Sequence, residues 1–174
     1  IKSGDVQWMT AGRGIIHQEY HSKEFTRTGG TFEMAQLWVN LPKEHKMTKP
    51  GYQEIAKKQI PIVNLPLGST EEPLGTARII AGELGTAKGA AKTFSPVQVW
   101  DVNLLNAGSE IDLPYPADHA CMIFVRRGSV EVLSDNGKET KLHPQEVALM
   151  KLDGSSDTLR IRVKEADSSI LILG

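Results

Sequence analysis

The sequence is poor in cysteine and has no long apolar run. Cys121 is the single cysteine among 174 residues, so no internal disulfide can form, which fits a reducing compartment. The apolar runs are far too short to span a bilayer. The formal net charge of −1 gives no overall basic field for nucleic acid. These absences predict a cytoplasmic protein, or a nuclear one in a eukaryote, that binds neither membranes nor nucleic acid directly.

Two further absences concern the start of the chain and its one thiol. The sequence begins with Ile1 rather than methionine and shows no apolar signal segment or targeting region. We therefore expect a fragment of a longer protein. Cys121 lies in the apolar run Cys121–Val125, which favours a small buried side chain over a reactive thiol.

Short strands divided by turn residues are predicted throughout the second half. Leu159, Ile161 and Val163 alternate with cations, as in a half-buried antiparallel strand. The pair Asn136-Gly137 between two such runs is a hairpin signal. The spacing favours a β-sandwich or barrel. The predicted strands are Ala77–Leu84, Val97–Leu105, Glu110–Leu113, Ala120–Arg126, Ser129–Ser134, Glu139–Leu142, Glu146–Leu152, Thr158–Lys164 and Ser168–Leu173.

The first half predicts fewer elements. After a short apolar strand at Val6–Trp8, the glycines at positions 12 and 14 break the chain, and Ile15–Tyr20 reads as the next strand. Thr31–Leu41 reads as a strand that can be covered on both faces. Tyr52–Gln59 reads as a short helix, because Tyr52, Ile55 and Ala56 recur at helical spacing. Residues 60–65 are predicted to be a strand or an extended connector.

His17 and Glu19 are the candidate site residues. On a strand, residues two apart point to the same face, so an imidazole and a carboxylate would project together and could ligate a divalent metal. A structural role for such a pair is the alternative that the residues alone leave open. His21 continues the same face and is a further candidate, although its place at a strand end favours a surface residue. Trp8 and Trp38 could line a pocket or belong to the core.

Three phrases in the sequence resemble the pirin family: Gly4–His17, Gln36–Pro42 and Tyr52–Glu54, in the family's order and spacing. The resemblance implies an all-β bicupin, two tandem cupin β-barrels of which the first is incomplete here. It implies that residues 1–52 are the second half of a metal-binding cupin. Residues 53–75 would then be a linker with a short helix, and 76–174 a cupin without a metal.

The same resemblance implies a function. Pirins hold Fe(II), or another divalent transition metal, with three histidines and a glutamate, and His17 and Glu19 would be the last two of these ligands. The first two would come from a His-x-His motif upstream of residue 1. The intact protein would then be a flavonol (quercetin) 2,3-dioxygenase with Glu19 as general base, and the fragment alone would be inactive. The alternatives are a metal-dependent protein-binding module that acts as a transcription cofactor, and a degenerate, non-catalytic cupin.

The remaining histidines and the lysine-rich loop are predicted to lie outside any metal site. Pro114, Pro116, Ala120 and Cys121 stand in the region before Gly128 where a metal-binding cupin carries its ligands, so the second barrel is predicted to be metal-free. His119 and His143 are predicted to be loop residues, and Glu146 has no histidine beside it on its strand. The loop Lys43–Lys49 is predicted to be a solvated surface, with an acidic protein partner as the alternative.

Overall fold

The chain folds into two compact units. The computed structural model describes residues 1–69, 71–134, 137–150 and 156–174. One unit comprises Ile1–Gln59 with Ala91–Pro96, and the other comprises Ile60–Ala90 with Val97–Gly174. Strands outnumber helices, so the predicted all-β class is confirmed. Within the described ranges no helix combines the length and the apolar character that a membrane crossing needs.

The first unit contains one two-stranded antiparallel sheet among its described residues. Its strands pair over five residues each. The Asp5 carboxylate fixes the start of this pair by accepting a hydrogen bond of 2.9 Å from the backbone amide of Lys57, and this bond lowers the pKa of Asp5. The elements are β1 (Val6–Thr10), the helix α1 (Lys23–Thr28), a 3₁₀ turn (Lys43–His45), β2 (Gly51–Ile55) and a second 3₁₀ turn (Lys57–Gln59).

Three predicted elements of the first half are wrong. The predicted helix Tyr52–Gln59 is instead strand β2 followed by a 3₁₀ turn, because β1 offers this stretch a partner that helical spacing does not reveal. The predicted strands Ile15–Tyr20 and Thr31–Leu41 form no strand. A strand needs hydrogen bonds from a neighbour, and no described strand pairs with either stretch.

Twelve strands of the described residues build the second unit. Along Glu110–Pro114 and Thr158–Val163, buried apolar side chains alternate with more exposed polar ones, so these strands bury one face, whereas Ser168–Leu173 is buried along nearly its whole length. The strands are β3 (Ile62–Leu65), β4 (Gly75–Ala81), β5 (Glu83–Leu84), β6 (Ala87–Lys88), β7 (Val99–Leu104), β8 (Glu110–Pro114), β9 (Met122–Arg127), β10 (Val130–Leu133), β11 (Glu139–Leu142), β12 (Val147–Leu149), β13 (Thr158–Val163) and β14 (Ser168–Leu173).

Two antiparallel sheets enclose the core of this unit. The larger sheet has the strand order β12-β9-β14-β7-β4-β3, and the smaller has the order β11-β10-β13-β8. Side chains from both sheets meet in one apolar cluster, which includes Ile79, Trp100 and Ile170 from the larger sheet and Ile111 and Ile161 from the smaller. This antiparallel two-sheet arrangement is the jelly roll of a cupin.

The strand predictions for the second half are confirmed. All nine predicted strands have a counterpart, and Glu139–Leu142 and Ser168–Leu173 agree at both ends. The predicted hairpin is present because β10 pairs with β11 in antiparallel fashion. Asn136 of its turn lies outside the described residues, as do the end of the predicted strand Glu146–Leu152 and the predicted turn Asp153-Gly154.

The segment Ala91–Pro96 belongs to the first unit although its sequence neighbours on both sides belong to the second. Two hydrogen bonds of 2.9 Å hold it, from the Gln53 side-chain amide to the Lys92 carbonyl and from the Lys92 amide to Gln53 Oε1. The rings of His45 and Phe94 add a contact with centroids 4.9 Å apart. The division into 1–52, 53–75 and 76–174 stays a prediction, and within its linker the structure places strand β3, which pairs with β4.

Candidate functional site

A tight turn after β1 delivers the candidate site residues. The Gly14 amide donates to the Ala11 carbonyl at 2.9 Å, and the Arg13 amide donates to the Thr48 carbonyl at 3.0 Å. Gly12 has a φ of +49°, and a Cβ there would lie 2.2 Å from the Thr48 carbonyl oxygen. Only glycine meets both demands, which explains the glycine at this position. The turn therefore fixes where the following segment starts.

His17 and Glu19 lie on the segment that follows this turn. Both side chains are exposed, and residues 15–22 have no regular secondary structure. Because these residues form no strand, the alternation of side chains along a strand does not place His17 and Glu19 on a common face. The nearest ordered element is α1, whose N-cap is Ser22, with its hydroxyl oxygen accepting from the Phe25 amide at 3.1 Å.

Tyr52 is a neighbour of Glu19 that the sequence did not indicate. The pKa of the Tyr52 hydroxyl is raised, first by loss of water around it and then by the negative charges of Glu54 and Glu19. The Glu19 carboxylate therefore lies close enough for its charge to act on the phenol. Sequence reasoning missed this because it placed Tyr52 on a helix, whereas strand β2 carries it.

An iron site needs more donors than this segment supplies. His17 and Glu19 are the right kinds of donor, since Fe(II) sites with open positions combine imidazole nitrogen and carboxylate oxygen. They fall short in number. Within the described parts of the chain, no group of three or more His, Cys, Asp or Glu side chains is placed to hold a metal ion. The residues present fit a metal in chemistry but do not make a complete site.

Other predicted neighbours of the site lie elsewhere. His21 joins an aromatic cluster, with its ring centroid 5.0 Å from Phe25 and 4.8 Å from Phe32. Trp38 is 93% exposed, so it is neither a pocket wall nor a core residue. Trp8 on β1 is half-buried. Of the aromatic residues proposed for a pocket, the structure brings none against His17 in a described contact.

The basic loop of the first unit is compact. Residues Lys43–His45 form a 3₁₀ turn, and the Lys46 ammonium group donates to Asn40 Oδ1 at 2.7 Å. The Thr48 carbonyl is the acceptor for the Arg13 amide, so this loop lies beside the turn that precedes His17. The loop and the candidate ligands thus belong to one region of the first unit.

Three titratable residues of the second unit, Cys121, His119 and His143, were predicted to lie outside any metal site. Cys121 is buried, as predicted, and burial raises the pKa of its thiol to about 12. His119 lies in a bend and is within 3.2 Å of Asp118 Oδ1. The His143 amide donates to Glu146 Oε2 at 2.8 Å. Both histidines lie outside the strands, as predicted.

Comparison with known proteins identifies relatives. The family model described as Pirin matches residues 1–39. A protein of Pseudomonas aeruginosa named "Putative quercetin 2,3-dioxygenase" is 47% identical over 142 residues, which are 82% of this chain and 48% of that protein. Pirin of Rattus norvegicus is 32% identical over 173 residues, 99% of this chain and 54% of that protein. The chain spans about half the length of the curated relatives it matches.

A solved structure agrees with these matches. The crystal structure of a quercetin 2,3-dioxygenase from Acinetobacter baumannii superposes with a TM-score of 0.85 and 41% identity, and the match covers all of this chain and 56% of that one. The match to this solved structure covers both units, including the first, in which two predicted strands and the predicted helix were wrong. On this evidence the chain belongs to the pirin family.

Proposed function

We propose that these residues are part of a pirin-type metal protein whose reaction is the dioxygenation of a flavonol such as quercetin. The observation that supports this most directly is the likeness to the Acinetobacter baumannii quercetin 2,3-dioxygenase, at 41% identity over the full chain. The relative from Pseudomonas aeruginosa, with a name of the same kind, supports the same activity. Because the chain covers about half of each relative, the activity is proposed for the intact protein.

In this proposal His17 and Glu19 are two ligands of a divalent metal, Fe(II) first. The remaining donors would come from outside these 174 residues, since the segment supplies two donors and such sites hold their metal with about three or four. The bound metal would supply the oxygen chemistry. His17 would bind as neutral imidazole through one ring nitrogen, and its other nitrogen would need a hydrogen-bond acceptor.

Glu19 has a second role in the proposal. Its carboxylate would accept the proton of the flavonol hydroxyl as the substrate binds, which is general-base chemistry. The exposure of Glu19 leaves room for a substrate to reach it. The pKa of the neighbouring Tyr52 phenol is raised from its ordinary value, first by loss of water around it and then by the negative charges of Glu54 and Glu19, so this phenol is protonated at neutral pH and able to donate a hydrogen bond.

The experiment uses the intact protein and matched variants. His17→Ala and Glu19→Ala should lower bound iron, measured by elemental analysis, and abolish quercetin consumption. His21→Ala and Glu24→Ala are the controls, because they remove an imidazole and a carboxylate from the same part of the chain and should leave both readouts near wild type. Full iron content in the His17 and Glu19 variants would contradict the assignment.

The second candidate is a metal-dependent protein-binding module. The Lys43–Lys49 loop favours it, because its three lysines are exposed and its Thr48 carbonyl accepts a hydrogen bond from the Arg13 amide in the turn that precedes His17. Pirin of Rattus norvegicus matches 99% of the chain. A lysine-to-glutamate change at Lys43, Lys46 and Lys49 should then weaken capture of an acidic partner and leave quercetin turnover intact. Unchanged capture of the acidic partner by this triple variant would rule out this candidate.

A further inference from the structure

On the basis of the function proposed above, we propose that Tyr52 is a positioning residue whose phenol hydroxyl donates a hydrogen bond to the ketone oxygen of the flavonol. A flavonol carries a hydroxyl group and a ketone oxygen on adjacent ring carbons. A base beside a hydrogen-bond donor matches this pair, because the base accepts from the hydroxyl group and the donor binds the ketone oxygen. Glu19 is the proposed base, and Tyr52 is the donor.

The pairing of β1 with β2 determines the side of the sheet to which Tyr52 projects. Alternate residues of a strand point to opposite faces, so Tyr52 and Glu54 share one face while Gln53 and Ile55 share the other. The second face is the packed one, because Ile55 is buried and the Gln53 side chain is hydrogen-bonded to the backbone of Lys92. Tyr52 is 48% exposed on the opposite, open face, where a ligand can reach it.

The backbone brings the segment of Glu19 to the start of this strand. The Arg13 amide donates to the Thr48 carbonyl at 3.0 Å, so the segment that carries Glu19 leaves the turn shortly before β2 begins. Loss of water raises the pKa of the Tyr52 phenol first, and the negative charges of Glu54 and Glu19 raise it further. The Glu19 carboxylate therefore lies on the side of the sheet that carries the phenol.

The Tyr52 hydroxyl differs from those of the other two tyrosines. The Tyr20 hydroxyl donates to Gln18 Oε1, and the Tyr115 hydroxyl donates to the Ala120 carbonyl at 2.7 Å. Of the three, the Tyr52 hydroxyl alone has no hydrogen-bond acceptor within the described part of the chain. A phenol that has lost part of its water and has no protein acceptor gains a hydrogen bond when a ligand brings one.

The charges around the phenol select the kind of acceptor. Glu54 shares the face of Tyr52, and the Glu19 charge acts on the same hydroxyl. Repulsion by these two carboxylates disfavours a carboxylate or phosphate group of a ligand at this position. A ketone oxygen accepts a hydrogen bond without carrying a charge, so it fits where an anion does not.

The test is Tyr52→Phe in the intact, iron-loaded protein, a change that removes the hydroxyl and keeps the ring on β2. The Kd for quercetin, measured without oxygen by fluorescence quenching, and the KM should both rise about two- to tenfold, the range for one lost neutral hydrogen bond. Bound iron and kcat should stay near wild type, because the hydrogen bond is made equally before and during the reaction. Catechin has the hydroxyl group without the ketone, so its Kd should be the same in both proteins.

Tyr20→Phe is the matched control, since it removes an exposed phenol hydroxyl of the same unit and should leave the Kd and KM near wild type. Unchanged Kd and KM for quercetin in Tyr52→Phe, or an equal loss of affinity for catechin, would overturn the role of Tyr52 and leave the proposed function standing. A wild-type intact protein that neither binds nor consumes quercetin would overturn both.

Discussion

The two units differ in how completely they bury their apolar side chains. In the second, more than twenty buried residues form a single core between two sheets. In the first, Ile55 is the one apolar side chain among the described residues that is buried, while Ile16, Phe32, Met34 and Trp38 are exposed. Both units carry strand-forming sequence. The difference teaches that apolar alternation produces a strand only where a partner strand is available to receive it.

The exposed apolar side chains of the first unit are of the kind that contacts other protein surfaces. Contiguous apolar patches are rare on monomers and mark contacts with other protein. The curated relatives are about twice the length of this chain. The comparison between the units is one between a sheet pair that buries its apolar faces and a small sheet whose neighbouring apolar side chains stay exposed.

The largest expected contrast is in amide hydrogen exchange. Amides of residues 15–41 should exchange at nearly unprotected rates, because few of them have backbone partners among the described residues. Amides in the central strands β7 and β14 should exchange only through global unfolding. Exchange measured by mass spectrometry on the purified chain checks this. Slow exchange over residues 15–41 would show that these amides are hydrogen-bonded or packed against other residues. That result would contradict the contrast between the two units.

The next contrast compares two tryptophans. Trp100 is fully buried and its indole donates to Gln98 Oε1 at 3.2 Å, so Trp100→Ala should cost about 3–5 kcal/mol of unfolding free energy. Trp38→Ala should change it by less than about 0.5 kcal/mol, because that ring is exposed. Urea unfolding followed by circular dichroism measures both. Equal losses in the two variants would contradict the described environments.

A smaller effect is expected at two glycines of the second unit. Gly128 has a φ of +71°, and a Cβ there would lie 2.2 Å from Ser168 Oγ and 2.8 Å from Ser168 Cα. Gly128→Ala should cost about 2–3 kcal/mol, because backbone strain and a steric clash add. Gly108→Ala is the control, since its φ of +82° is similar and nothing lies within 4 Å. It should cost about 1 kcal/mol, and thermal unfolding of both variants would show whether the close contact is real.

The smallest effect concerns the outer face of the smaller sheet. Glu131 accepts hydrogen bonds from Arg162 at 3.0 Å and from Lys164 at 3.2 Å, and the first of these is the main cause that lowers its pKa. A lowered folded-state pKa gives stability that is present above the ordinary pKa of a glutamate and is lost as the pH falls through the folded value. Glu131→Gln should therefore be less stable than wild type at pH 7. The gap should start to narrow as the pH falls below the ordinary pKa of a glutamate, ~4.3, and should close only below the lowered folded value, as measured by denaturation at several pH values. A gap that persists in acid would point to a packing defect instead.

The second unit was predictable from sequence because its signals are local. Alternation in Thr158–Val163 and the turn residues between strands determine each element without knowledge of its partner. In the first unit the deciding facts are non-local. Strand β2 exists because β1, some forty-five residues earlier, pairs with it, and the spacing of Tyr52 and Ile55 gave no sign of that.

The candidate site was predictable in identity and not in geometry. The sequence motif around Gly12 indicated His17 and Glu19 as site residues. The structure has a tight turn at Gly12, where the sequence predicts a break after the first strand. The closeness of Glu19 to Tyr52 depends on a fold-level contact. It has no periodic or motif signal, because it brings together a residue of the irregular segment after the turn and a residue of strand β2.

The excursion of Ala91–Pro96 has a practical consequence for dissecting this protein. The polypeptide passes from one unit to the other three times, so no single cleavage point separates them. Cutting the gene after Gln59 would strip Gln53 of both hydrogen bonds to Lys92. Either piece made that way would miss a native contact, so its failure to fold would say nothing about autonomy. Gene fusion or recombination within this family therefore has to carry the two units together, or supply a substitute for the returning loop.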